Sequence, residues 1–123
     1  MDRLQKVFER QQAFNEELVA RRHLEGISDE QWIQKQVLAM MSELSEVLGE
    51  VNFKWWKNPR PVNSDNLKEE LVDVFHFFIG MCLSAGMTAD ELYERYLRKN
   101  QENFDRQHGR SEKKGYEVED EPE

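Results

Sequence analysis

Apolar positions along the chain recur with the 3.6-residue period of helices, and no stretch shows the two-residue alternation of a half-buried strand. One stretch stands apart. Over residues 71–83, ten of thirteen positions are apolar, and only Asp73, His76 and Gly80 interrupt. A helix apolar on nearly every side is expected at the centre of a bundle, covered by neighbours all round. Before it, residues 2–22 predict a helix with Leu4, Phe8, Gln11, Asn15 and Leu18 on one face. Ser28 opens a second helix, with Gln31 three residues later completing a capping box. Its expected core stripe is Ile33, Val37, Met40/Met41, Leu44, Val47/Leu48 and Val51. The prolines of the 58–63 segment make a loop, and Ser64 or Asp65 starts the apolar helix, which ends near Gly86. Thr88 and Glu91 form another capping box, opening a helix over 89–107 that turns Leu92, Tyr93, Tyr96 and Leu97 to the core. The expected architecture is all-α, an antiparallel four-helix bundle-like core over residues 1–108. Residues 109–123 are expected to be a polar, acidic, flexible tail, disordered from 117 to 123.

The polar residues inside apolar stripes carry the chemistry. Asp73 sits within the apolar helix, where an unpaired carboxylate is costly unless it is neutralised, paired or bound to a metal. Glu70 lies one turn earlier on the same face, at i, i+3. A second such pair, Glu43 and Glu46, lies on the preceding helix. An acidic stripe is usually a solvated face, and 25 acidic residues make such pairs common. What distinguishes these is the placement of one pair against a core edge and the existence of its counterpart. Two helices offering two acids each can build one four-carboxylate metal site.

Composition narrows the partners. The formal charge of −8 argues against a duplex nucleic acid. A single cysteine, Cys82, excludes an intrachain disulfide framework and fits a reducing compartment. The N-terminal residues lack the apolar core of a signal peptide, and no apolar run reaches membrane-spanning length, so a cytoplasmic protein without membrane attachment is expected.

Three further groups have two readings each. Gln11 and Asn15 either satisfy neighbouring backbone or a helix seam, or present amides to a planar polar ligand. The run Phe53-Lys54-Trp55-Trp56-Lys57 is either a helix end-cap with lysine stems laid over it, or a site for a phosphate and a base. Lys99, Asn103 and Arg106 share one helical face, which is a solvent face unless it stands opposite an anionic ligand. His76 is either a satisfied core histidine or a partner of the Asp73 site.

The two acid pairs, Glu43-x-x-Glu46 and Glu70-x-x-Asp73 with 23 residues between them, resemble those of the all-α MazG-like nucleoside triphosphate pyrophosphohydrolases. The Gln11-to-Asn15 segment, the Trp-Lys run, Asp73-x-x-His76 and Lys99-x-x-x-Asn103-x-x-Arg106 are similar to the dimeric dUTPases within that superfamily. These pieces cover most of residues 11–107 in the family's order. Some members carry a long helical insertion that closes on substrate; only 25 residues separate Asp73 from Lys99 here.

The resemblance implies hydrolysis of dUTP, and of dUDP, to dUMP, with attack at the β-phosphorus. It implies two or more Mg²⁺ ions, with Mn²⁺ as a substitute, on Glu43, Glu46, Glu70 and Asp73. Glu46, ahead of Glu43, would orient or deprotonate the attacking water. Lys54, Lys57, Lys99, Asn103 and Arg106 would bind phosphates. Gln11, Asn15, Trp56 and His76 would bind the nucleoside. A fixed amide set reading uracil would face cytosine with mismatched donors, which predicts at least about 100-fold preference for dUTP over dCTP. A homodimer, or a dimer of dimers, is implied as well. Two other readings are a broader MazG-type pyrophosphohydrolase acting on other or modified nucleotides, and a non-enzymatic helical dimerisation module.

Overall fold

Hydrogen-bonded side-chain caps open the first three helices. In the computed structural model, described here for residues 1–118, the helices are α1 (Arg3–Arg22), α2 (Asp29–Glu50), α3 (Ser64–Ser84) and α4 (Ala89–Gln107), with no strand among the described residues. The chain is all-α, as expected. Asp2 and Gln5 form a reciprocal capping box at the start of α1, and Ser28 and Gln31 form the predicted one at α2. Asn63 caps α3 through the Asn66 amide at 3.1 Å. The end of α3 is a Schellman motif: Met87 N–H reaches Cys82 O at 2.9 Å and Gly86 N–H reaches Leu83 O at 3.0 Å. That motif needs a left-handed residue, and Gly86 supplies it with φ of 79°.

Between α2 and α3 the loop is closed by one side chain. Asn52 donates from Nδ2 to Arg60 O at 2.7 Å and accepts the Arg60 N–H on Oδ1 at 2.8 Å. Trp55 and Trp56 ride on the segment between them, edge to face with ring centroids 5.6 Å apart.

The chain divides into two compact units, the first Met1–Thr88 and the second starting at Ala89. In the first, α3 packs chiefly on α2 and also on α1. Gln36 lies against Gly80, while the carboxylates of Glu43 and Asp73 meet further along, so α2 and α3 run antiparallel. Phe8, Ile79 and Cys82 are buried there, Ile79 completely. Burial pushes the Cys82 thiol up, which leaves it an unreactive core residue.

Three expectations about packing need correction. The apolar helix is not covered all round: Leu71, Val72, Phe75 and Phe78 of α3 remain exposed. On α2, the expected core stripe is open at Val37, Met41, Leu44, Leu48 and Val51. Within this unit only one side of each helix faces another, so hydrophobic period alone overstates burial. In the second unit, Tyr93, Tyr96 and Leu97 of α4 are likewise exposed rather than in a core.

The segment after α4 folds back on its end. Gly109, at φ 72°, completes another Schellman motif, with Arg110 N–H on Asp105 O at 2.8 Å. Buried Ser111 donates its hydroxyl to Glu102, and Val118 N–H approaches Gln107 O at 3.4 Å. The segment expected to be disordered, 117–123, lies outside the described residues from 119 onward. Within it Glu117 is placed, accepting the Gly115 and Tyr116 amides at 3.1 Å each.

Candidate active site

Because α2 and α3 are antiparallel, their two i, i+3 acid pairs converge. Carboxylate oxygens of Glu43, Glu70 and Asp73 all lie within 4.8 Å of one another. Desolvation raises the Glu70 pKa above the ordinary glutamate value, and the neighbouring Asp73, Glu46 and Glu43 charges push it further the same way. Glu46 is therefore close enough to act on Glu70 electrostatically, yet it stands outside the three-oxygen group. Asp73 is exposed, not sunk in the core as its apolar flanks suggest, because its face of α3 opens to solvent.

The donor set fits a hard divalent cation. It is all carboxylate oxygen, without a cysteine or histidine, which suits Mg²⁺ or Mn²⁺ rather than zinc. Glu43, Glu70 and Asp73 would hold such an ion, each offering one carboxylate oxygen.

One helical turn beyond Asp73, His76 and Phe77 enter the wall of a cavity of 640 Å³ within the first unit. Its polar lining includes four amides, Gln11, Gln12 and Asn15 from α1 and Gln36 from α2. Gln11 is buried, and its Nε2 donates to Asn15 Oδ1 at 2.9 Å. The other atoms of each amide, Gln11 Oε1 and Asn15 Nδ2, then form an adjacent acceptor and donor. His76 sits edge-on between Phe14 at 5.3 Å and Phe77 at 4.9 Å. Both readings of that residue meet here, since the ring contacts pack it and it also lines the cavity.

The structure thus brings Gln11, Asn15 and His76 to one cavity, and Glu43, Glu70 and Asp73 to one cluster a turn away. Lys54, Lys57 and Trp56 are exposed on the stapled loop, and Lys54 Nζ lies 5.9 Å from the Phe53 ring centroid. In the second unit Lys99 and Asn103 are exposed on α4. Arg106 is already engaged: Nε donates to Glu102 at 3.0 Å, and the guanidinium lies 5.5 Å from the Tyr116 ring centroid. The Ser111 hydroxyl, and after it Arg106, hold Glu102 below the usual carboxylate pKa.

The sequence reading gives no functional role to Gln36, Gly80 or Ser84, which line the cavity. The signal available was Gly80 itself, an isolated glycine inside an apolar helix, which marks a close approach. A Cβ there would sit 2.7 Å from Gln36 Nε2.

Acid pairs facing each other across an antiparallel helix seam are what the resemblance to the all-α nucleoside triphosphate pyrophosphohydrolases leads one to expect, and the family match bears that class out. Within that class, this chain belongs to the dUTPase family, whose profile matches residues 3–85. Among curated proteins it is 32% identical to a dCTP pyrophosphatase of Enterobacteria phage T4, over 59% of this chain and 51% of that protein. It is 34% identical to a dCTP pyrophosphatase of Enterobacteria phage LZ5, over 60% of this chain and 43% of that protein. A DNA replication protein of phage T4 is 30% identical over 54% of this chain and 20% of its own length. The chain spans about half the length of these dCTP pyrophosphatases, and a fifth of the replication protein. No solved structure matches.

Proposed function

We propose that this protein is a divalent-metal-dependent hydrolase converting a pyrimidine deoxynucleoside triphosphate, dUTP first, to the monophosphate and pyrophosphate, and dUDP to dUMP and phosphate. The observation that carries this reading is the Glu43–Glu70–Asp73 oxygen cluster one turn from a cavity lined by amides. A polyphosphate meeting three clustered carboxylates is repelled unless cations intervene. Glu43, Glu70 and Asp73, with Glu46 beside them, would hold Mg²⁺. When bound, the ion supplies neutralisation, polarisation of the phosphoryl group and a lowered pKa of water.

Glu46, outside the three-oxygen group, is the residue proposed to take the proton of the attacking water. The water oxygen bonds to the β-phosphorus, the bond to the α,β-bridging oxygen breaks, and the nucleoside monophosphate leaves. Lys54, Lys57, Lys99, Asn103 and Arg106 are the proposed phosphate ligands, and Trp56 a nucleotide contact. For Arg106 this entails sharing or releasing Glu102. Gln11 and Asn15 would read the base, with Gln11 Oε1 accepting from uracil N3–H and Asn15 Nδ2 donating to O4.

That same hydrogen bond favours a second reading, dCTP. If both amides turn together, the pair still holds but presents donor and acceptor in reversed order, which matches cytosine N3 and its amino group. The names of the phage relatives lend this reading support. Side-by-side kinetics on dUTP, dUDP, dCTP and dTTP, with Mg²⁺ and with EDTA, test both. A dUTP preference of about 100-fold or more supports the fixed set; similar values for dUTP and dCTP support the turning pair. Turnover in EDTA, or equal rates on all four, would overturn the proposal.

The open stripes on α2 and α3 support a homodimer. Leu71, Phe75 and Phe78 follow at i, i+4, i+7, and Val37, Met41, Leu44 and Leu48 at matching intervals, all exposed. Burying each leucine or phenylalanine of such a face contributes about 1.5–3 kcal/mol before the costs of association.

A further inference from the structure

Resting on that reading of the cavity as the base site, we infer that Gln36 is a base-binding residue that donates a hydrogen bond to O2 of the pyrimidine. Three observations converge on it. Ser84 donates its hydroxyl to Gln36 Oε1, a long contact at 3.4 Å, and this turns the other end of the amide, Nε2, toward Gly80. Gly80 is where that end fits, since any Cβ would occupy the space 2.7 Å from Nε2. Gln36, Gly80 and Ser84 all line the same cavity as Gln11 and Asn15, so the Gln36 side chain is beside a base held there.

The chemistry separates Gln36 from Gln11 and Asn15. The Gln11–Asn15 pair can exchange its donor and acceptor by a joint turn, whereas Gln36 is held by an element of its own, Ser84 on α3. Uracil and cytosine differ at N3 and at position 4 but share a carbonyl acceptor at O2. A donor set apart from the Gln11–Asn15 pair suits the shared atom, and a reversible pair suits the two that differ. Phe14, Trp32 and Phe77 supply apolar walls for the ring faces.

The register agrees. Gln36 and Glu43 are seven residues apart on α2, as Asp73 and Gly80 are on α3, so amide and acids lie about 10.5 Å apart along one seam. One end of a nucleotide would meet Gln36 while its phosphates reach the carboxylates.

The test uses the full chain, with binding of dUMP, dCMP and 2-thio-dUMP measured by calorimetry beside hydrolysis of dUTP and dCTP. A thiocarbonyl is a poor acceptor, so the wild type should bind 2-thio-dUMP about tenfold more weakly than dUMP, the worth of one hydrogen bond. Gln36→Met keeps the length of the side chain and removes the donor. It should weaken dUMP and dCMP by the same factor of about ten and abolish the 2-thio penalty, leaving the dUTP/dCTP ratio of kcat/KM unchanged. Gly80→Ala, which keeps Gln36 but displaces its amide, should reproduce both effects, and alanine suits a helix better than glycine. A 2-thio penalty that persists in both variants overturns this inference while leaving the proposed activity in place. A wild type that binds neither monophosphate and hydrolyses neither triphosphate overturns the activity, and this inference with it.

Discussion

Adding MgCl₂ to the metal-free protein should raise its melting temperature well beyond the effect of NaCl at the same ionic strength. Three carboxylates with oxygens within 4.8 Å make a concentrated negative site, already crowded enough to raise the Glu70 pKa once desolvation has begun to do so. Salt screens such charges generally, but a divalent ion bound between them stabilises only the folded state that assembles them. At a hundred times its dissociation constant the ion contributes about 2.7 kcal/mol, or roughly 10 °C for a chain of this length. Each further tenfold in concentration should add roughly 5 °C, a slope that screening does not produce. Differential scanning fluorimetry across a Mg²⁺ series, beside NaCl matched in ionic strength, reads this directly. Asp73→Asn supplies the control: it relieves crowding, so its metal-free melting temperature should equal or exceed wild type, while its Mg²⁺ shift should shrink. Matched shifts in the two salts, or an undiminished shift in Asp73→Asn, would refute the metal assignment independently of any activity.

Glu46→Gln should lower kcat by about 10²–10⁴ and leave the helical circular dichroism unchanged; a variant retaining wild-type kcat removes Glu46 from the chemistry. In metal-free buffer, stability should fall as pH rises. The folded-state pKa of Glu70 is raised, so the folded chain holds a proton there more tightly than the unfolded chain does. That contribution is full below the ordinary glutamate pKa and lost as pH climbs through the raised value, and Glu70→Gln should flatten the slope in a melting series from pH 4 upward. Sedimentation at micromolar concentration should give a dimer, and Phe75→Glu, placed in the exposed α3 stripe, should shift it to monomer; a monomeric wild type would count against the covered face.

Helix positions were legible because short-range signals set them. Ser28 and Gln31 announce α2, and the Asn63 region and Gly86 bracket α3, each through bonds between residues only a few positions apart. Three of the four expected carboxylates were legible for a similar reason, i, i+3 spacing on two paired helices, while Glu46 stands outside their group. Burial was less so. Val37, Met41 and Phe75 have the periodicity of core residues but face outward, and a face awaiting a second chain has the same pattern as one already covered. Gln36 was not legible at all. One amide on a helix with many polar residues carries no signal until the pairing of α2 with α3 sets it over Gly80.

That pairing also bears on how such a chain changes length in descent. Between Gln36 and Glu43, and between Asp73 and Gly80, the helices act as two matched rulers of seven residues. A single residue gained or lost inside either one turns everything on one side of it by about 100° around its axis. The amide and the acids would then no longer share a face. Insertions and deletions should therefore be tolerated outside these two spans, above all in the 53–59 segment, where Asn52 and Arg60 hold the ends together whatever lies between. A relative differing in length inside one ruler but not the other should have lost either its base site or its metal.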